Sequence, residues 1–209
     1  MKTSRLSLAG GRISRRRKPR QLKGWIRFVR AANRLSHLPN WKTTRANLNR
    51  FNAKFRFAAN VQPISASGFS KGTMDGYSAA LKLFLAYTAA ELLAECIGLK
   101  IWKWQIHDQE LAKTLRKALQ NIEINKDQLF KDQPGKRIAD FVRSDSSDIF
   151  VAAYCIRIMV AHGTFTATGA KAHQAGVRRA LLKMADLILD ETESKFQVWV
   201  EEKLVIKPS

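Results

Sequence analysis

The chain has 209 residues, 45% of them hydrophobic, which is enough for one domain of ordinary size with a real core plus an appendage. Its formal net charge of +20 is carried unevenly: residues 1–74 hold 18 of the 37 Lys and Arg and no acid, and Asp75 is the first carboxylate. So lopsided a segment repels itself unless it meets a polyanion, and a phosphate backbone is the commonest one. No run of 18 apolar residues predicts a membrane-spanning helix, and the start, MKTSRLSLAGGRISRRRKPR, lacks the apolar core of a secretory signal. Being Arg-rich, Ser-containing and acid-free, it also fits an organellar import signal.

Residues 1–24 read as disordered, because Gly10-Gly11, the run Arg15-Arg16-Arg17-Lys18 and Pro19 leave no periodic apolar face. Over 25–36, Trp25, Phe28, Val29, Ala32 and Leu35 recur at three- and four-residue spacing, with Arg27, Arg30 and Arg34 between them. That pattern predicts a basic amphipathic helix interrupted at Pro39. Residues 44–58 fit a helix or an alternating strand, and 60–72, with Pro63, Gly68 and Gly72, look like a linker. The expected division is therefore a basic arm over 1–72 and a compact helical domain over 73–209. Removing the arm is expected to leave that domain folded.

Within the domain, Tyr77, Leu81, Phe84, Leu85, Leu92 and Leu93 predict a helix over 74–97, capped by Thr73 and ended by Gly98. Further helices are expected over 108–121 with Asp108 as cap, after Gly135, from Ser147 to Ala161 and over 174–203, with a turn at 164–172. The fold class expected is all-α, a bundle of four to five helices with a basic, partly disordered N-terminal arm. Cys96 and Cys155 sit in apolar helical stretches and read as buried free thiols, which suits a reducing, cytoplasmic setting.

The candidate nucleic-acid contacts are Arg15, Arg16, Arg17, Lys18, Arg20, Lys23, Trp25, Arg27, Arg30 and Arg34. Cations meet phosphates, and aromatic rings offer platforms for unstacked bases. Trp25, Phe28, Trp41, Phe51, Phe55 and Phe57 equally suit docking of the arm onto the domain, and both roles stay open for different residues. RNA is the expected partner. DNA, an acidic protein and an anionic membrane surface, which the amphipathic helix would suit, are the alternatives. His37, His107 and His173 have no Cys or acidic partner at ligand spacing, and no phosphate-cradling glycine motif occurs, so no metal or cofactor site is expected.

One pattern points to chemistry. The penultimate long helix ends Tyr154-Cys155-Ile156-Arg157-Ile158-Met159-Val160-Ala161-His162-Gly163. An Arg in an apolar helix needs an anionic partner or ligand, and Glu91 or Glu95 could be the helix carboxylate it finds. With His162 it would offer a permanent cation and a group titrating near neutrality, a pair suited to attack on a phosphodiester. The R-x4-H pattern in this helix order, over residues 73–203, resembles the HEPN superfamily. The resemblance implies a metal-independent endoribonuclease in which Arg157 and His162 of two protomers meet across a homodimer interface. Catalytic members often have a small polar residue after the Arg, where this chain has Ile158. The competing expectation is a non-catalytic RNA- or ribosome-binding module whose bundle dimerises or meets a partner.

Overall fold

The computed structural model describes residues 18–34, 43–119, 140–143 and 146–204. These residues are helical throughout their regular structure: α1 (Trp25–Ala32), α2 (Arg45–Asn60), α3 (Lys71–Ile97), α4 (Gln109–Leu119), α5 (Ile149–Ala161) and α6 (Ala175–Leu204), with a 3-10 turn at Ile101–Lys103. An isolated antiparallel bridge between His107 and Asp148 is the one β pairing among the described residues.

The bundle is assembled around α3, which packs against α2, α5 and α6. Its composition explains the position. Ala79, Ala80, Ala86, Ala89, Ala90 and Ala94 are all buried, as are Leu83, Tyr87 and Leu93. A helix apolar on most sides must be covered on most sides, and small residues let its neighbours approach closely. Closest of all is Gly76, where an added Cβ would lie 2.9 Å from the carbonyl carbon and oxygen of Ala172. Gly76→Ala should therefore destabilise the protein by about 1–3 kcal/mol through overpacking, although Ala is the better helix former by about 1 kcal/mol. Denaturant unfolding checks the sign, and a gain in stability would show that the 164–174 segment can give way.

Caps fix the helix ends. Ser70, in extended backbone, accepts from Thr73 N, so α3 starts three residues earlier than a Thr73 cap implies. Gly98 closes it at φ 74°, a left-handed conformation that glycine adopts without penalty. Asp108 accepts from Leu111 N at 2.9 Å and takes Lys183 Nζ at 2.6 Å, which holds its carboxyl below the usual range. Buried Asp148 caps α5 by accepting from Phe150 N and also takes Ile106 N, both at 3.1 Å, tying the α3–α4 connection to the start of α5.

Residues 20–34 and 43–61 depart most from the expected division of the chain. Thr44 Oγ1 accepts from Asn47 N and starts a helix, which settles the helix-or-strand ambiguity over 44–58. Leu48, Phe51, Phe55 and Ala58 of α2 and Phe28 of α1 are fully buried in the same core as α3, α5 and α6. Phe196 on α6 is the hub: the rings of Phe51, Phe28 and Trp25 lie 5.5, 6.0 and 6.1 Å from it, and Trp199 lies at 6.3 Å. Among the described residues no break in packing falls at residue 72. The physical reason is plain in α2, whose apolar stripe would otherwise face water. Residues 61–70 form the exposed connection that was expected there.

Candidate nucleic-acid interface

Two regions carry the candidate residues. The first is the N-terminal segment and its seam with α6. Arg15, Arg16 and Arg17 lie outside the described residues. Arg20 is committed to the fold: its Nη2 donates to Asp190 at 2.7 Å and Glu193 at 3.2 Å, and its guanidinium lies 5.3 Å over the Phe55 ring. Lys23 gives its amide to Glu193 Oε1 at 2.9 Å and brings Nζ to 3.3 Å from Glu193 Oε2. Arg27 pairs with Glu201 at 3.0 Å. Trp25 is half-buried, with its ring 4.9 Å from that of Phe28. Lys18, Arg30 and Arg34 are exposed. Lys23, Trp25, Arg27 and Arg30 line one groove of about 660 Å³ between α1 and α6, so the structure brings these four together.

The same seam shows cations that the sequence reading passed over. Arg45, Arg50, Lys54 and Arg56 are exposed on α2, and none of them makes an ion pair among the described residues. Phe57 beside them is 60% exposed. The signal was present: once 44–58 is taken as helix, the buried stripe of Leu48, Phe51, Phe55 and Ala58 leaves these cations outward. The two-way reading of the segment hid that face.

The second region is the end of α5. This helix is apolar and largely buried, with Ile149, Phe150, Ala153, Cys155, Ile156 and Met159 inward. Burial pushes the Cys155 thiol up to about 12, and it raises that of Cys96 as well; neither cysteine is in a disulfide. Arg157 sits on the helix's open side and donates Nη2 to Glu91 Oε2 of α3 at 3.0 Å, with the two side chains 30% and 29% exposed. Its Nε is buried without a hydrogen-bond partner. Glu95, one turn on, is exposed, so of the two carboxylates it is Glu91 that meets the guanidinium. His162 is the C-cap residue, exposed, with its amide on Ile158 O at 2.9 Å, and Gly163 follows at φ 69°. No hydrogen bond joins Arg157 to His162. The separation of about 140° around the helix accounts for that, since five residues place them on different sides. His173 is held in its turn, with Nδ1 3.3 Å from Ala167 O, and His107 Nδ1 lies 3.0 Å from Ser147 Oγ.

Among the described residues, no helix is long and apolar enough to cross a membrane. Comparison with models of known protein families, with curated proteins and with solved structures finds no match to this chain.

Proposed function

We propose that the protein binds RNA through its acid-free N-terminal third, with the helical bundle as the rigid support. The observation that carries this reading is the set of exposed cations that the fold does not consume. Arg20, Lys23 and Arg27 are met by acids of α6, whereas Arg45, Arg50, Lys54 and Arg56 have no acidic partner among the described residues. Exposed cations kept clear of carboxylates are held at a self-repulsion cost that a polyphosphate relieves. Two buried thiols outside any disulfide suit work in a reducing compartment such as the cytoplasm.

A second reading, that of a HEPN-like endoribonuclease acting as a homodimer, is favoured by one observation. The Arg157 guanidinium is only partly satisfied: Nη2 rests on Glu91 and buried Nε has no partner. A substrate phosphate, or the His162 side of a second protomer, would complete the surroundings. In that reading the ribose 2′-oxygen attacks phosphorus, the bond to the 5′-oxygen breaks and a cyclic phosphate remains. His162 moves the proton and Arg157 stabilises charge on the phosphate oxygens.

One experiment separates the two. Purified protein is incubated with total RNA in the presence of chelator, beside His162→Ala and Arg157→Lys, while filter binding follows affinity and sedimentation follows mass. The nuclease reading expects a dimer and cyclic-phosphate ends. It also expects cleavage to vanish in His162→Ala, and to fall in Arg157→Lys, which keeps charge but loses the planar fork. Full cleavage by His162→Ala, or a monomer at high micromolar concentration, defeats that reading. Tight binding with no cleavage by the wild type leaves the binding reading alone. Absence of RNA binding defeats both.

A further inference from the structure

The outward face of α2 has a definite layout. Around the helix axis, Arg45 and Arg56 fall within about 20° of each other and Arg50 and Lys54 within about 40°, and the two pairs stand about 150° apart. Between them runs a crest of exposed Ala46, Asn49 and Ala53, with Phe57, 60% exposed, toward its C-terminal end. The opposite side of the helix is sealed into the core by Leu48, Phe51, Phe55 and Ala58, so the crest and both rows of cations point to solvent together. The whole helix, 16 residues long, is about 24 Å in length.

We infer that this face is a docking surface for duplex RNA, with the α2 crest laid against the minor groove. The inference rests on the RNA-binding reading and goes beyond it in naming the surface and the form of the partner. Two rows of cations on opposite shoulders match two phosphate backbones flanking a groove, whereas a single strand would follow one row and leave the other unused. Over the first turns the crest is low, where Ala46 and Ala53 allow close approach of the helix backbone, and Phe57 projects past them at the far end. Asn49 between them carries an amide that both donates and accepts, as contact with a 2′-hydroxyl requires. The A-form minor groove is wide and shallow and displays those hydroxyls, so a helix held rigidly by its other face can lie along it. No acid of α2 opposes the approach, because α2 contains none.

The test uses the full chain and fluorescence anisotropy with a 20-base-pair RNA duplex, a single strand of the same length and the DNA duplex of the same sequence. Two variants are compared with wild type: the neutralised Arg45→Gln/Arg50→Gln/Lys54→Gln/Arg56→Gln protein, and Ala53→Tyr, which blocks the crest and leaves the charge unchanged. All substituted side chains are exposed, and an unchanged melting temperature confirms that the fold is kept. The wild type is expected to bind the RNA duplex at least 10-fold more tightly than the single strand or the DNA. The neutralised protein is expected to lower the slope of log K against log salt by about 3.6, since each of four phosphate contacts contributes about 0.9. Ala53→Tyr is expected to weaken duplex binding at least 10-fold without changing single-strand binding.

An unchanged salt slope in the neutralised protein overturns the α2 assignment while RNA binding itself stands. So does duplex binding by Ala53→Tyr equal to that of the wild type. Equal or tighter wild-type binding to the single strand or to the DNA duplex overturns the duplex-RNA assignment. A wild type that binds none of these RNAs brings down the underlying reading instead.

Discussion

Deleting residues 1–72 is expected to abolish cooperative folding, not to release a stable domain. The deletion strips Leu22, Phe28, Leu48, Phe51 and Phe55 from the core, each no more than 3% exposed. At about 1.5–3 kcal/mol for each large apolar side chain, the loss is roughly 8–15 kcal/mol, an upper figure because unfolded chains already bury some of that surface. A whole domain is stable by only about 5–15 kcal/mol. The faces of α3 and α6 that α2 covers would also be left open to water and to aggregation. Circular dichroism with thermal melting checks this: a sigmoidal melt with native helicity in the truncated protein would show that α3–α6 stand alone. The sequence reading expects the reverse, and the buried aromatics of α1 and α2 are the reason to abandon that expectation.

Glu193→Ala should be the most damaging single removal of charge. The carboxylate is 5% exposed and receives Arg20 Nη2, Lys23 Nζ and the Lys23 amide. Its loss leaves a part-buried amide unpaired and loosens the segment that leads into α1. Breaking a fully buried pair costs about 3–5 kcal/mol. Here both cations are partly solvated, Lys23 with 72% of its side chain exposed, so about 2–3 kcal/mol is expected. For a chain of this size that is a fall in melting temperature of roughly 5–10 °C. Asp190→Ala is the control. It removes the closer partner of Arg20, but Asp190 is 62% exposed and should matter by less than about 0.5 kcal/mol. Equal losses in the two variants would show that Glu193 is not the anchor of the segment.

Legibility followed periodicity. The helices α3, α5 and α6 were readable because long apolar patterns ended at recognisable caps, as at Gly98 and Gly163. Less was readable where one pattern served two structures. In 44–58 the spacing of Leu48, Phe51, Phe55 and Phe57 fits helix and strand alike, and only packing on α3 decides between them. Composition misled in a different way. A run of residues with no acid looks self-contained, yet its counter-charges are Asp190, Glu193 and Glu201 on the last helix. Pairing across that separation leaves no local trace in the chain. At the end of α5, the need of Arg157 for a helix carboxylate was predictable from its apolar surroundings, while the choice of Glu91 over Glu95 depends on the crossing of α3 and α5.

The bonds from Arg20 to Asp190 and Glu193, from Lys23 to Glu193 and from Arg27 to Glu201 join residues 170–174 positions apart. A ribosome adding about 5–20 residues per second makes the first partner roughly 10–35 seconds before the second. Throughout that interval the newborn N-terminal segment has neither its acids nor the aromatic hub at Phe196 to settle against. The fold of the described residues is thus closed by α6, made after the helices it covers, and a product halted by a premature stop before residue 190 emerges without the acids that meet Arg20, Lys23 and Arg27 and without the ring of Phe196. Degradation by quality-control proteases and adhesion to cellular polyanions are the fates expected of such fragments, which a chain carrying α6 escapes.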